Sequence, residues 1–253
     1  MEKLLDGKIA LITGGNRGLG KAITEKFVEE GAHVALHYNH NASAAETLKD
    51  HYGDSITLFR ADLTDINQSA VLFEQVISGL GHVDIVVNNA GVALKSNIFG
   101  KQQAWLRNWG ITMQVNLNSL ALICRLAILH FVDLHLKGRI INIASRAAFR
   151  GDTEDYMAYA ASKGGVVALT RSIARAFGKK GIIAFTVSPG FVNTDMARQF
   201  FDQYGEDYGL KDNALDKLTL PEDVAPMIAF LASGKADHAT GSNFDFNAGS
   251  YLH

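Results

Sequence analysis

The sequence predicts an α/β protein built on a parallel sheet. Short, continuously apolar runs alternate with longer segments of helical period through the first two-thirds of the 253 residues. Strands that are covered on both faces are expected to be apolar throughout, which favours a parallel sheet between two helical layers. A glycine-rich turn follows the first apolar run and opens the first helical segment, as in proteins that bind nucleotides.

The apolar runs predict the strands, and the periodic segments predict the helices. Strands are expected at 8–13, 33–38, 56–59, 83–87, 139–144 and 182–187, with a last candidate at 243–247. Helices are expected at 18–30, 42–51, 66–79, 103–118 continuing to about 136, 156–178 and 221–232. No linker or repeat interrupts the pattern, so residues 1–253 are predicted to form a single domain for cofactor binding and catalysis. Residues 194–218 show no clear pattern and are expected to form a lid.

Composition excludes several classes of function. With 24 basic and 26 acidic residues, the net charge is -2, which gives no electrostatic footprint for nucleic acid or an anionic membrane. The lone Cys124 cannot form an internal disulfide, and residues 1–7 lack an apolar signal core, so a cytoplasmic location is expected. The most apolar stretch, 120–136, contains Arg125, His130 and Asp133 and is shorter than a spanning helix requires, so we expect a buried helix.

The glycine-rich turn is the first candidate binding feature. Gly14, Gly18 and Gly20 permit a tight turn, a close approach of the backbone to a pyrophosphate, and close packing of helix on strand. The helix that follows would present free N–H groups to phosphates. The spacing matches neither G-x-G-x-x-G nor the G-x-x-x-x-G-K phosphate loop. Taken alone, the pattern also fits an ordinary turn between a strand and a helix.

Residues 88–91 (Asn-Asn-Ala-Gly) follow the predicted strand 83–87. Ligands bind at the carboxyl ends of parallel strands, so these small and amide residues are candidates for contact with a ribose or a nicotinamide. Asn and Gly are also common where a strand ends in a turn. The four residues do not decide between these interpretations.

Tyr159 and Lys163 are the candidate proton-transfer pair. Their i, i+4 spacing places both on one face of the predicted helix 156–178. A neighbouring ammonium would lower the pKa of a phenol from about 10, making it a usable general acid or base. Ser145 follows the strand 139–144 and can direct its hydroxyl to the same edge of the sheet. Tyr156 has no lysine four residues on and is interpreted as a packing or substrate-facing residue.

Together these motifs resemble the short-chain dehydrogenase/reductase family, most closely its β-ketoacyl-acyl-carrier-protein reductase type. The motifs are Thr13-Gly-x-x-x-Gly-x-Gly20, 88–91, Asn116, Ser145, Tyr159-x-x-x-Lys163 and Pro189-Gly190. The resemblance implies a single-domain, Rossmann-like, doubly wound parallel sheet of about seven strands with helices on both faces. It also implies a homodimer or homotetramer.

The resemblance implies a catalytic tetrad. Tyr159 would exchange a proton with the carbonyl or alcohol oxygen, and Ser145 would orient that oxygen. Lys163 would lower the pKa of Tyr159 and bind the nicotinamide ribose. Asn116 would hold a water molecule that relays protons to Lys163.

The same resemblance implies a dinucleotide site that spans the sheet edge. Asp62 would meet the adenine, 88–91 the adenosine ribose, and 187–194 the nicotinamide. The expected cofactor-binding residues are Gly14, Asn16, Arg17, Gly18, Leu19, Gly20, Tyr38, Asn39, His40, Asp62, Leu63, Asn89, Ala90, Gly91, Tyr159, Lys163, Pro189, Gly190, Val192 and Thr194.

The choice of cofactor depends on the end of the second strand. NAD-binding members commonly carry an acid there, and the corresponding residue here is Tyr38. Arg17 is placed to meet a 2′-phosphate, with Asn39 and His40 as further donors. NADP(H) is therefore the predicted cofactor, and NAD(H) is the alternative.

A small-molecule carbonyl or alcohol is the expected substrate, with 3-oxoacyl thioesters first and other apolar, sugar or quinone carbonyls as alternatives. Two basic positions that dock acyl carrier protein in the resembled type correspond to Leu136 and Lys180, with Lys137 adjacent, so this docking stays open. Residues 93–109 differ from the usual composition and are further candidates for substrate contact. Four aromatic residues of the lid would wall an apolar substrate or serve as helix packing: Phe200, Phe201, Tyr204 and Tyr208.

Other classes fit the sequence less well. A serine hydrolase would need a G-x-S-x-G elbow, which the sequence lacks. No metal site is expected among the nine histidines, since His33 and His37 would lie about 13 Å apart on one strand face. The remaining rival is a dinucleotide-binding regulator without turnover.

Overall fold

The computed structural model describes residues 3–252, except for the side chains at 199, 202–204 and 206–207. Its sheet has seven parallel strands in the order β3-β2-β1-β4-β5-β6-β7, which confirms the predicted fold class. The strands are β1 Ile9–Thr13, β2 His33–Tyr38, β3 Ile56–Arg60, β4 Ile85–Asn88, β5 Arg139–Ile143, β6 Ile183–Pro189 and β7 Asn243–Phe246.

Helices cover both faces of the sheet. They are α1 Gly18–Glu29, α2 Ala42–Tyr52, α3 Ile66–Leu80, α4 Gln102–Met113, α5 Leu120–Asp133, α6 Ala147–Arg150, α7 Met157–Phe177, α8 Asp195–Tyr204 and α9 Pro221–Ala232. Alternate residues of β1 serve the two layers: Ala10 and Ile12 pack with α1, α2 and α9, whereas Leu11 packs with α3, α5 and α7. The central strands are therefore apolar throughout, as the sequence predicted.

A single helical run extends from Gln102 to Asp133. Its middle, Gln114–Ser119, is a π-helix rather than an α-helix. The whole run is long and apolar enough to span a membrane by length and composition alone, although the stretch 120–136 is not. Burial gives the answer instead, because half of the apolar window lies inside the protein. α5 packs against α3 and contributes Ile123, Ala127 and Phe131 to the core, so it is a buried core helix.

Segment 194–218 is more regular than predicted. α8 begins after Thr194, whose hydroxyl accepts a hydrogen bond from the Ala197 N–H at 3.4 Å. A short 3₁₀ turn follows at Glu206–Gly209, and Val192 pairs with Thr219 in an isolated parallel bridge. α8 is only 10 residues long and mostly polar, so few apolar residues carry its helical pattern in the sequence. The short α6 was not predicted either, and the strand limits differ by at most two residues from prediction.

Gly138, just before β5, provides a test of packing at the end of α5. A Cβ at this position would lie 2.1 Å from Cδ2 of the buried Phe131. We expect Gly138→Ala to lower the free energy of unfolding by about 1–3 kcal/mol through overpacking. Urea denaturation measures this change. The control is Gly178→Ala, because Gly178 is helical with φ -55° and an added Cβ would meet nothing within 4 Å. Equal effects of the two substitutions would contradict the packing explanation.

Candidate active site

The candidate site lies at the carboxyl ends of the central strands. The strand order reverses between β1 and β4, whose connections leave on opposite faces of the sheet. Such a switch point opens a crevice in which doubly wound proteins bind ligands. Thr13 ends β1, Asn88 ends β4, and Ser145 follows β5. The sequence-predicted residues from these three segments therefore meet at one edge.

The glycine turn forms a cradle for an anion. Gly14 and Gly18 have φ of +65° and +50°, which side-chain-bearing residues rarely adopt. A Cβ on Gly20 would lie 2.0 Å from the Gly14 carbonyl oxygen, so only glycine allows this approach. α1 begins at Gly18, and its N-cap Arg17 supplies no side-chain hydrogen bond. The first N–H groups of α1 are thus left to bind the phosphates of a dinucleotide, and the cradle fits that group.

Thr13 joins the cradle to the loop after β4. Its hydroxyl oxygen accepts hydrogen bonds from the backbone N–H groups of Asn89 and Ala90, both at 3.0 Å. The Asn89 amide donates in return to the carbonyl oxygens of Thr13 and Gly14, at 3.0 and 3.1 Å. Thr13 was not among the predicted binding residues. Its position directly before the first glycine was the available signal.

His37 lies beneath the cradle and was also missed as a site residue. The Gly14 N–H donates to its Nδ1 at 3.1 Å, and Nε2 lies 3.1 Å from the Ala61 carbonyl oxygen. Since Nδ1 accepts, the ring is neutral with its proton on Nε2. Burial lowers the pKa of His37 to about 4. His37 therefore connects the predicted phosphate turn to the predicted adenine segment.

Two predicted binding residues hold the loop after β2. The Asn16 amide donates to the carbonyl oxygens of His40 and Asn41, at 3.0 and 3.1 Å. The Asn39 amide donates to a carboxylate oxygen of Asp62 at 3.1 Å. Hydrogen bonds from the Thr64 backbone N–H and other donors lower the pKa of Asp62. Asn16 and Asn39 thus shape the loop through side chains that the sequence assigned to ligand contact.

Cations flank this loop. Arg17 is exposed, and its side chain makes no hydrogen bond or ion pair with the residues that the structure describes. Arg60, at the end of β3, donates from Nε to the Asn39 carbonyl oxygen at 3.3 Å. It pairs in register with Tyr38, the position that carries an acid in NAD-binding proteins. The sequence did not indicate Arg60, because the register between β2 and β3 was unknown.

Tyr159, Lys163 and Ser145 converge opposite the cradle. Tyr159 is half-buried and forms a hydrogen bond with Ser145. The Lys163 ammonium lies 5.7 Å from the centroid of the Tyr159 ring and donates to the Ile143 carbonyl oxygen at 2.7 Å. The Ser145 hydroxyl also accepts from the Ala147 N–H at 3.1 Å. All three side chains are therefore held by contacts within the protein.

The proton affinities of this pair differ from the sequence prediction. Burial raises the pKa of Tyr159 to about 12, with a smaller opposing effect of the Ser145 hydrogen bond and a small raising effect of Asp152. Burial lowers the pKa of Lys163 to about 8. The expectation that Lys163 lowers the phenol pKa is not met in this state. Burial dominates the pKa of Tyr159, and the Lys163 ammonium donates its hydrogen bond to the Ile143 carbonyl oxygen instead of the phenol.

Asn116 lies in the π-helical segment. Its Oδ1 accepts from the Val92 N–H at 2.8 Å, and its amide donates to the Val92 carbonyl oxygen at 2.9 Å and to Ser162 at 3.0 Å. A Cβ on Gly91 would come within 3.4 Å of Asn116 Oδ1 and 3.5 Å of Lys163 Nζ. Asn116 thus fixes the loop beside Lys163, with one lone pair of Oδ1 left for a further donor. The π-helix sets its position, as such segments often do at functional sites.

The loop after β6 closes the other end of the crevice. The Gly190 N–H donates to the Phe246 carbonyl oxygen at 2.9 Å, which fixes the loop to β7. A Cβ on Gly18 would meet the Thr194 methyl group at 3.1 Å, so this loop reaches the glycine cradle. The remaining predicted binding residues lie around the same edge: Leu19 is half-buried in the α1 layer, Leu63 is buried below Asp62, and Pro189 and Val192 are buried near Gly190.

Aromatic rings of α8 and its surroundings pack around Phe191. The Phe191 ring contacts Phe200, Phe201 and Tyr208, with ring centroids 5.7, 5.8 and 5.7 Å away. Phe200 also packs on Tyr156, at 4.6 Å. Phe200, Phe201 and Tyr208 therefore pack around Phe191, which fits helix packing as well as a wall for an apolar substrate. The Tyr204 side chain lies outside the described part of the chain. The described residues contain no cluster of three or more His, Cys, Asp or Glu side chains that could hold a metal.

Comparison with known proteins identifies the family. A family model described as Enoyl-(Acyl carrier protein) reductase matches residues 14–250. The 3-oxoacyl-[acyl-carrier-protein] reductase FabG of Vibrio cholerae is 34% identical over 248 residues, which cover 98% of this chain and 99% of that protein. The chain belongs to the short-chain dehydrogenase/reductase family. The Escherichia coli K12 protein of the same name is 31% identical and covers 98% of each chain.

Solved structures agree with this assignment to the short-chain dehydrogenases. A short-chain type dehydrogenase/reductase from Mycobacterium marinum superposes with a TM-score of 0.90 at 27% identity, covering 100% of this chain and 99% of that one. A short-chain dehydrogenase from Burkholderia cenocepacia, in complex with NADP, has a TM-score of 0.89 at 29% identity and covers 97% and 98%. The chain is therefore an oxidoreductase of the carbonyl–alcohol type, as is typical of the family.

The buried His37 makes stability depend on pH. Its folded pKa of about 4 lies below the ordinary value of 6.5, so the unfolded chain binds a proton first as the pH falls. The stabilisation is complete above pH 6.5 and is lost between pH 6.5 and 4, by up to about 3 kcal/mol. Urea unfolding of wild type and His37→Gln at pH 7, 5.5 and 4.5 measures this loss. Gln keeps an acceptor and a donor but does not titrate, so parallel stability curves would contradict the prediction.

Proposed function

We propose that the protein is an NADP(H)-dependent oxidoreductase that interconverts a carbonyl and a secondary alcohol. The observation that carries the proposal is the convergence of Ser145, Tyr159 and Lys163 on the edge that also holds the glycine cradle. The cradle is shaped for a pyrophosphate, and the three side chains are shaped for proton transfer. A regulator that only bound a dinucleotide would have no use for the second group.

The proton chemistry follows from the pKa values. With a pKa of about 12, Tyr159 is protonated at neutral pH and can donate to a carbonyl oxygen as negative charge develops there. Ser145 donates a second hydrogen bond to that oxygen and holds it in place. When bound, the nicotinamide exchanges a hydride with the carbonyl carbon. Lys163 is cationic below its pKa of about 8 and stabilises the phenolate that proton donation leaves on Tyr159. Asn116 is proposed to hold the water that returns the proton.

NADP(H) is favoured over NAD(H) by charge. Tyr38 stands where an acid would repel a 2′-phosphate, and Arg17 and Arg60 flank the adjoining loop. The related Burkholderia protein was solved with NADP. The proposed binding residues are those predicted from the sequence, with Thr13 and Arg60 added.

The thioester reading of the substrate rests on the relatives. Several of them are named 3-oxoacyl-[acyl-carrier-protein] reductases, while the family model is described as an enoyl reductase. Reduction of a 3-oxoacyl thioester is the first candidate, and a smaller carbonyl compound is the second. At the carrier-docking positions Leu136 is half-buried, and only Lys180 and the adjacent Lys137 offer exposed charge.

Assembly and location are part of the proposal. Leu129 and Leu134, in and just after α5, are 44% and 51% exposed, which suits pairing with a second copy in a homodimer or homotetramer. The balanced charge and single buried cysteine suit a cytoplasmic enzyme that binds neither nucleic acid nor membranes.

Tyr159→Phe tests catalysis. The substitution keeps the ring and removes the proton donor, so the rate of NADPH oxidation with acetoacetyl-CoA or simple ketones should fall about 100- to 10,000-fold. NADPH affinity, measured by fluorescence titration, should stay within about threefold of wild type. Tyr52→Phe in α2 removes a hydroxyl far from the site and serves as the control. Unchanged reduction by Tyr159→Phe would remove the proposed mechanism, and a wild type that binds NADPH without reducing any carbonyl would favour the regulator.

Arg17→Ala tests the cofactor preference. Loss of a charge-assisted contact to a 2′-phosphate should lower kcat/KM for NADPH about 10- to 100-fold and leave kcat/KM for NADH nearly unchanged. Lys21→Ala, one turn into α1 on an exposed side chain, is the matched loss of charge. The measurement is kcat/KM with each cofactor at one fixed carbonyl concentration. A wild type that turns over faster with NADH would overturn the assignment.

A further inference from the structure

Arg146 is a buried cation next to the catalytic serine. It is 5% exposed, and its backbone N–H donates to the Pro189 carbonyl oxygen at 3.0 Å. Arg146 directly follows Ser145, so their Cα atoms lie about 3.8 Å apart and their side chains leave neighbouring points of the backbone. Arg146 was not among the site residues predicted from the sequence.

The guanidinium of Arg146 has few hydrogen-bond and ionic partners for so deeply buried a residue. Of its five N–H bonds, one donates to the Ser250 hydroxyl oxygen, and Cζ lies 4.8 Å above the centroid of the Phe191 ring. Among the described residues, no carboxylate oxygen lies within 4 Å of it. Burying a cation without an ionic partner costs several kcal/mol. Such a cost is typical of a group that is kept for a ligand.

The nearby charges are engaged elsewhere. Arg150, one turn on, pairs with Asp212 at 3.3 Å. Asp152 is half-buried, and its carboxylate accepts from the Thr153 N–H at 2.8 Å. At longer range, Asp212 and Asp152 raise the pKa of Arg146 while burial and Arg150 lower it more. Neither acid neutralises the guanidinium by direct contact.

A chain of aromatic contacts connects Arg146 to the segment that carries the catalytic tyrosine. Phe191 stacks on the guanidinium, follows the cofactor segment Pro189-Gly190, and contacts Phe200 of α8. Phe200 in turn packs on Tyr156, three residues before Tyr159. The cation thus belongs to the aromatic cluster that packs on Tyr156, about one turn before the catalytic tyrosine. A guanidinium that lies over an aromatic ring and spends one N–H on Ser250 keeps further N–H donors for a planar anion such as a carboxylate.

We propose that Arg146 binds the carboxylate of a short keto- or hydroxy-acid substrate whose carbonyl or alcohol carbon reacts beside Ser145 and Tyr159. This inference rests on the proposed carbonyl–alcohol function and narrows its substrate class. It selects a free acid over a thioester, because a thioester has no charge so close to its keto group. Ser250 and Phe191 hold the guanidinium in place.

Matched pairs of substrates test the charge. The 2-oxo, 3-oxo and 4-oxo isomers of pentanoate and their methyl esters present the same carbonyls with and without the anion. We expect wild type with NADPH to prefer at least one acid over its ester by about tenfold or more in kcat/KM. Arg146→Met should lower kcat/KM for that acid about 100-fold and change the ester less than about threefold. Arg146→Lys should retain part of the preference, since it keeps the charge without the planar fork.

A second variant separates recognition from a purely structural tether. Ser250→Ala removes the one hydrogen-bonded partner of Arg146 and should keep the preference for the acid. If Arg146→Met and Ser250→Ala both lower activity on acids and esters equally, Arg146 only fastens the C-terminal segment and the proposal is wrong. Equal kcat/KM for acid and ester in all three pairs of the wild type, with acetoacetyl-CoA reduced, would likewise overturn it while leaving the proposed function intact.

Calorimetry keeps the test independent of turnover. Pentanoate and pentanamide are unreactive and differ in charge, and both can be titrated into the NADP-loaded protein. We expect pentanoate to bind at least tenfold more tightly than pentanamide, and Arg146→Met to abolish the difference. If no carbonyl compound is reduced but this charge preference is present, the proposed reaction fails and the acid site stands. Equal binding of the two compounds removes the acid site.

Discussion

The site depends on the hydrogen bonds that join β1 to β4 where the sheet reverses its order. Thr13 and Asn89 exchange four hydrogen bonds across this gap, counting the contacts to Ala90 and Gly14. The loops that leave β1 and β4 diverge to opposite faces of the sheet, which opens a crevice between them. Strand pairing does not extend to these loops, so it does not fix the distance between them. The Thr13–Asn89 contacts do so, and His37 braces the turn from below. Because each group is buried or half-buried, losing one partner would strand the others.

The catalytic side uses burial in the opposite way. Burial raises the pKa of Tyr159 to about 12 and lowers that of Lys163 to about 8, so two pKa values that are nearly equal in water move apart. At neutral pH the Tyr159 phenol is therefore neutral and the Lys163 ammonium is charged. Charge that develops on a substrate oxygen or on the phenol would be felt strongly, since little water surrounds the pair to screen it. The preorganised positions of Ser145 and Asn116 come from the protein's own hydrogen bonds.

The sequence predicted the sheet, its seven strands and the main helices because buried parallel strands leave an unmistakable apolar pattern. It also placed Gly14, Ser145 and Tyr159 correctly at one edge, since strand ends follow from strand limits. It failed where register or depth decides. Arg60 became a neighbour of Tyr38 only through the pairing of β2 with β3. The proton affinity of Tyr159 depended on burial, which spacing along a helix does not encode. The helix α8 was missed because it is short and mostly polar, so that few apolar residues reveal its period.

The π-helical segment at Gln114–Ser119 has a consequence for how the long helix can vary. Successive residues of an α-helix are rotated by about 100°, so one surplus residue turns everything before it relative to everything after it. α5 can then bury its apolar face in the core while Asn116 points at Val92 and Ser162. Removing one residue here would restore regular α-helical hydrogen bonding and local stability. It would also rotate α4 about its axis and move Asn116 away from Val92 and Ser162. The π-helical segment therefore changes the rotational phase of the helix. One continuous helix can then both pack in the core and hold Asn116 in the site.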